Sequence, residues 1–214
     1  DDLKNLGINV SKILKNKFNE NKISKEHNIQ NIQAAIKLLS LFGIKEKLSY
    51  ESLISYESLP HRLESFLTFK NFKFINDSKS TNGESAKNAL ESFNNIFWIA
   101  GGRSKSEGLL CLNNELNNVK KCYLIGECAK LFEKELNNRI SRISICLNLK
   151  NAINELFDDL IKEKSGIVLF SPAASSFDQY NNFEDRGRKF KSLVSKVLEK
   201  RKHLFKHANL GAIS

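Results

Sequence analysis

Asp77, Lys79 and Thr81 stand close together in the stretch Phe72–Thr81, FKFINDSKST. An aspartate can accept hydrogen bonds from a ribose, and a lysine can hold a phosphate or carboxylate as a point charge. Phe72, Phe74 and Ile75 before them suit a buried strand. Ala86, Ala89, Leu90 and Phe93 after them fall at helical spacing. The polar set therefore sits at the carboxyl end of a strand, just ahead of a helix, where open α/β sheets bind ligands. An ordinary polar loop between strand and helix fits the same spacing.

Two further strand ends carry similar groups. Gly101, Gly102, Arg103 and Lys105 follow one, and Ser171, Ser175, Ser176 and Asp178 follow another. In a parallel sheet all three loops share one edge, and their cations and hydroxyls suit a small anion such as a carboxylate. Gly101-Gly102 either lets backbone approach a ligand closely or forms a plain turn. His61-Arg62 lies beyond Leu59-Pro60; Arg62 either reaches a phosphate across a domain cleft, its planar fork suited to two-point recognition, or pairs with Glu64 at the surface. No G-x-x-x-x-G-K-[ST] or G-x-G-x-x-G is present, no serine lies in a G-x-S-x-G elbow, and no His, Cys or carboxylate cluster has metal-ligand spacing.

The elements that must position these residues follow from apolar periodicity. Residues 1–26 read as an irregular remnant with one short strand. Ile29, Ile32, Ala35, Ile36 and Leu39 form one face of a helix that Gly43 ends. Asn28 and Asn31 share a face near its start. Ser49 is expected to cap a second short helix through Ile54, and Leu59-Pro60 to mark a domain boundary. Beyond it, residues 66–69 and 72–75 suggest a hairpin around Lys70-Asn71. Strands are expected at 96–100, 123–125, 143–146 and 167–170. Helices are expected from about Glu127 to Leu136, along Ile153, Leu156, Phe157 and Leu160, and along Phe190, Leu193, Val194 and Val197. Repeated strand–helix units predict an α/β fold: a mainly parallel sheet with helices on both faces. The chain beyond Lys202 lacks a pattern and reads as a frayed tail.

At 214 residues the chain can bury a substantial core, and no apolar run approaches the length of a membrane span. The net charge of +10 points to anionic partners. Its lysines and arginines are scattered among acids rather than gathered in a stripe, which argues against nucleic acid. Part of the lysine excess travels with Asn, Ile and Phe and reads as codon bias. Cys111, Cys122, Cys128 and Cys146 form no C-x-x-C pair and read as buried free thiols of a reducing cytoplasm. The sequence contains no Met, which reads as the mark of a fragment or trimmed chain.

The segments HNIQNIQAA, LPHRLE, INDSKSTN, IAGGRSK, LIGE and SPAASSFDQYNNFEDRG occur in an order and spacing that resembles the D-glutamate-adding branch of the Mur ligase family. The resemblance runs from about His27 to Leu198. It implies a Rossmann-like C-terminal domain at residues 60–202, preceded at 1–59 by a helical remnant of the central ATPase domain and followed by a ragged tail at 203–214. It also implies a cytoplasmic ligase using ATP and Mg²⁺ to phosphorylate UDP-N-acetylmuramoyl-L-alanine, whose acyl phosphate the amino group of D-glutamate then attacks. No nucleic-acid or membrane partner is implied.

Residue by residue, the resemblance places Asn28 and Asn31 on adenine, Arg62 on the γ-phosphate and Asp77 on the nucleotide ribose. Lys79, Thr81, Lys105, Ser176, Phe177 and Phe183 resemble the residues around D-glutamate, and Arg62 and Lys79 the catalytic ones. Ser80, Gly83 and Ala174 depart mildly from the family pattern. The phosphate-binding loop, metal ligands and uridine domain are missing from the sequence, so they would belong to missing N-terminal and central domains. A truncated or degenerate ligand-binding module without ligase activity of its own is the alternative.

Overall fold

The apolar runs expected from Ile29 onward become regular elements in the computed structural model, which describes residues 26–54, 59–105 and 108–206. The expected short strand within residues 1–26 lies outside the described residues. The chain divides into two units, residues 1–58 and 59–214.

The first unit contains α1 (Glu26–Leu41) and α2 (Glu46–Ile54). Gly43 ends α1 as expected, at φ 77°, with Ile44 N–H donating to Leu39 O and Gly43 N–H to Ser40 O. These two bonds satisfy carbonyls that a helix end leaves open. Of the anticipated apolar face, Ile36 is buried while Ala35 and Leu39 are exposed. Ser49 does not cap α2. The helix starts at Glu46, whose carboxylate suits the positive end of the helix dipole, and Ser49 lies inside it, buried, its Oγ without a hydrogen-bond partner among the described residues.

In the second unit β1 (Glu64–Phe69) and β2 (Phe72–Asn76) form the expected antiparallel hairpin. The chain continues through α3 (Gly83–Leu90), β3 (Ile96–Gly101), a 3₁₀ turn at Asn114–Asn118, β4 (Val119–Ile125), α4 (Ala129–Leu136), β5 (Ile143–Leu147), α5 (Leu149–Leu160), β6 (Gly166–Phe170) and α6 (Phe183–Arg201). The six strands lie in the order β1-β2-β6-β3-β4-β5, with every pair except β1–β2 parallel. All six residues of β3 are buried, as a central strand covered on both faces requires. Alternation along it sends Trp98 and Ala100 to a core shared with α3 and α4, and Phe97 and Ile99 to a core shared with α5 and α6. The sheet is therefore mainly parallel with helices on both faces. Among the described residues no helix is long and apolar enough to cross a membrane.

Three asparagines start the helices: Asn82, Asn148 and Asn182 accept from the third backbone N–H beyond them at the heads of α3, α5 and α6. A part of the asparagine excess thus has a structural use beyond codon bias. Past Lys202, where a frayed tail is expected, a 3₁₀ turn at Leu204–Lys206 instead buries Phe205 against Phe69 and Phe157, an ordered packing that no apolar period announces.

β4 begins well before Tyr123 because its charged residues are paired. Lys121 donates to Asp159 at 2.7 Å and to Glu155 at 2.8 Å, and Tyr123 Oη donates to Asp159 at 2.7 Å. Burial raises the Asp159 pKa, but the bonds from Lys121 and Tyr123 more than offset this and leave the carboxyl below its ordinary value. A lowered carboxyl pKa stabilises the fold at neutral pH, and this contribution is lost as pH falls through the folded value. Asp159→Ala should therefore cost about 1.5–3 kcal/mol at pH 7, the usual effect of losing hydrogen bonds to a charged group, since Lys121 keeps Glu155. In urea titrations the gap to the parent should narrow in acid; a gap independent of pH would contradict this account.

Candidate functional site

The loop after β2 is shaped by its own side chains. Asn76 Oδ1 accepts from Ser78 N–H at 3.2 Å, Asp77 O accepts from Ser80 N–H at 2.9 Å, and Asn82 caps α3. Asp77 is buried, with Oδ1 accepting from Leu63 N–H at 3.1 Å and Oδ2 from Ser171 Oγ at 2.8 Å. It joins the segment before β1 to the loop after β6.

Arg186, in the first turns of α6, is fully buried and makes three bonds: Nε to Ser78 Oγ at 3.1 Å, Nη2 to Ser78 O at 2.8 Å and Nη1 to Ala174 O at 2.9 Å. Ser78 Oγ in turn donates to Phe183 O at 2.8 Å. Burial lowers the guanidinium pKa to about 10, so it remains charged at neutral pH. Sequence reading passed over Arg186. Its signal was there, three residues after Phe183 and directly before Gly187.

Gly187 has a specific reason to be glycine. A Cβ there would lie 2.3 Å from His61 Nδ1. His61 sits on α6 with a positive φ of 65°, and its carbonyl accepts from Lys79 N–H at 3.0 Å. Asn76 Nδ2 faces His61 Nδ1 at 2.8 Å and Glu64 Oε2 at 3.0 Å. An amide nitrogen only donates, so His61 Nδ1 accepts and the ring is neutral, with its proton on Nε2. Burial, helped by Lys191 and Arg188 against the opposing pull of Glu64, lowers its pKa in agreement.

Several expectations change here. Gly101 and Gly102 do not make room for a ligand: Cβ atoms there would stand 1.9 Å from Ile125 O and 2.2 Å from Ser175 O. They let neighbouring backbone pass. Arg103 and Ser175 exchange two backbone hydrogen bonds of 3.0 Å, which zip the loops after β3 and β6 together. The Arg103 side chain is bound to Glu127 at 2.9 and 3.0 Å, which removes it from the expected set of free cations. Asp178 accepts from Glu127 N–H at 3.1 Å, tying in the loop after β4. Arg62 does not pair with Glu64, whose oxygens take Lys191, Asn76 and the His61 N–H.

Of the anticipated site residues, Arg62, Lys79 and Phe183 line one open groove with Pro60, His61 and Glu184. The Lys79 ammonium lies 4.2 Å from the centre of the Phe183 ring, a cation–π contact. Thr81 is half-buried farther along the same loop and Lys105 is exposed beyond the zipped turn. Ser176 is buried, whereas Phe177 is 64% exposed. Asn28 and Asn31 belong to α1 in the other unit, where Asn31 is exposed. Among the described residues no group of three or more His, Cys, Asp or Glu could hold a metal ion. All four cysteines are free, and only Cys111 is more than marginally accessible. The arrangement presents cations and hydroxyls from pinned loops along one sheet edge, suited to an anion.

No protein-family model matches the chain. It is similar to curated proteins named UDP-N-acetylmuramoylalanine–D-glutamate ligase. That of Rickettsia felis is 33% identical over 216 residues, covering 92% of this chain and 48% of the relative. Those of Bartonella henselae and Bradyrhizobium diazoefficiens are 39% and 41% identical, covering 81% and 78% of the chain but 37% and 36% of the relatives. The chain thus spans between a third and a half of the length of these relatives. Among solved structures, MurF of Acinetobacter baumannii matches with a TM-score of 0.59 and 17% identity over 82% of the chain and 38% of its own. MurF of Thermotoga maritima, solved in complex with ADP, matches at 0.54 and 20% over 82% and 39%. At such identities these structures speak to the fold alone.

The Gly187–His61 contact yields a direct expectation. Gly187→Ala should push the His61 ring off α6 and cost about 1–3 kcal/mol, as overpacking does. The Lys79 amide resonance should shift, because His61 O holds that N–H. An unshifted Lys79 amide in a folded variant would show that His61 does not set the loop.

Proposed function

We propose, for a chain that belongs to the Mur ligase family, that it is the C-terminal part of a ligase joining D-glutamate to UDP-N-acetylmuramoyl-L-alanine. The observation that carries this reading is the sheet edge itself: Arg62 and Lys79 on one groove, the loops of Thr81 and Ser176 fixed beside it by Asp77 and Arg186, and the loop of Lys105 joined to them by the Arg103–Ser175 backbone pair. The identity of 33–41% to relatives named as that ligase supports it and disfavours a degenerate module.

In this reading residues 60–202 are the amino-acid-binding domain and residues 1–59 the end of a central nucleotide-binding one. Lys79, Thr81, Lys105 and Ser176 bind the carboxylates of D-glutamate, and Phe183 holds the Lys79 ammonium in place while Phe177 packs beside the ligand. Lys79 also offsets negative charge as the amino group attacks an acyl phosphate. Arg62, exposed at the groove mouth and without an ion pair among the described residues, serves the γ-phosphate of ATP on closure. Asp77 serves the ribose, and Asn28 and Asn31 the adenine. ATP is a co-substrate, and the ligands for Mg²⁺ come from the part of the relatives that this chain does not span. The ligase works in the cytoplasm.

The test is a chimaera in which residues 27–202 replace the matching segment of the Rickettsia felis relative. It should join D-glutamate to UDP-N-acetylmuramoyl-L-alanine with release of phosphate from ATP. Lys105→Ala in the chimaera should raise the KM for D-glutamate far more than that for ATP, by about 1.5–3 kcal/mol for losing a hydrogen bond to a charged group. A folded chimaera that binds ATP but adds no D-glutamate would refute the proposal. Equal effects of Lys105→Ala on both substrates would refute its assignment.

A further inference from the structure

The end of the sheet opposite the candidate site has a chemistry of its own. Three segments meet there by topology: the β1–β2 turn at Lys70-Asn71, the loop 161–165 ahead of β6, and the chain after α6. Lys70 Nζ donates to Phe205 O, Asn71 Nδ2 to Lys164 O at 3.3 Å, and Gly166 N–H to Asn71 O at 3.2 Å. These bonds fix Lys70, Lys73, Lys162, Lys164, Lys202 and His203 around one end, all of them exposed. The nearby acids are already taken: Glu163 by Lys120 and Arg142, Asp158 by Arg201, and Glu199 by Lys202. Lys73, Lys162 and Lys164 carry no ion pair among the described residues. Leu204, 40% exposed, follows Lys202 and His203 directly in the chain.

We propose that this end is a docking surface for an anionic lipid membrane. Clustered lysines are drawn to the negative surface potential of anionic lipids, each contributing modestly within a Debye length. Leu204 supplies a small apolar insertion beside them, and the pairing of basic and apolar signals is what reversible membrane attachment requires. A nucleic acid fits less well, because the cations sit on converging loop tips without a stacking aromatic exposed among them. The surface is independent of the ligase reading. It adds a membrane contact that the sequence did not suggest, and it would leave the candidate site facing away from the lipid.

The test is co-sedimentation of the chain with vesicles of phosphatidylcholine alone or with one-third phosphatidylglycerol, at about 0.1 M salt, near a 10 Å Debye length. Binding should require the anionic lipid and vanish in high salt. The triple variant Lys73→Gln, Lys162→Gln, Lys164→Gln should lower partitioning by about a hundredfold. Lys130→Gln, Lys134→Gln, Lys150→Gln removes the same charge from exposed positions elsewhere and should change it far less. Circular dichroism checks that both variants fold. Absence of binding to anionic vesicles, equal binding to neutral ones, or equal losses in the two triple variants would overturn the proposal. So would a short DNA duplex that binds the same surface more tightly than vesicles do.

Discussion

A buried guanidinium that makes no direct ion pair among the described residues is the interaction on which the site edge depends. Arg186 is held by two carbonyls and a hydroxyl, and its charge is kept out of water at a cost that burial registers as a pKa lowered to about 10. Such a group is tolerated only while every bond is made. It therefore fixes Ser78 relative to Ala174, and with them the loops after β2 and β6. Ser78 lies directly before Lys79 and two residues before Ser176 comes Ala174, so the candidate ligand groups inherit their positions from this one side chain. Asp77 and Ser171 repeat the connection a short distance away. Gly102 allows it, since a Cβ there would approach Arg186 Nη1 to 3.2 Å.

The parallel sheet was legible because its strands are buried on both faces and so read as short, nearly continuous apolar runs, as in Ile96–Gly101. The shared edge of the strand ends followed from that alone. Gly43 was legible because an αL helix stop has a narrow residue preference. What the sequence hid were the interactions made across it. Arg103 read as a free cation because Glu127, its partner, comes from a different loop. The start of β4 was obscured by lysines whose acids sit on α5. Gly101-Gly102 left a ligand turn and a plain turn open, since spacing alone cannot tell a ligand's approach from that of neighbouring backbone. Ser49 looked like a cap because Ser is a good one, but Lys45 O already receives the first N–H groups of that helix.

The two ends of the sheet divide the functional surface. At one, pinned loops gather a groove, a neutral histidine, and the cations Arg62 and Lys79. At the other, paired acids leave an excess of lysines exposed. The net charge of +10 thus resolves into places rather than a uniform coat. Lys79 illustrates the economy of the first end: its backbone is held by His61, its ammonium rests on Phe183, and Phe183 is itself tied by its carbonyl to Ser78.

The central claim is that the loops pinned by Asp77 and Arg186 form an amino-dicarboxylate site. It is tested most directly by titrating D-glutamate into the isotope-labelled chain and following backbone amide shifts. Perturbations should gather at Lys79–Gly83, Lys105 and Ser175–Phe177, even if saturation needs millimolar ligand. Shifts confined to another surface, or none at saturating D-glutamate, would contradict the account.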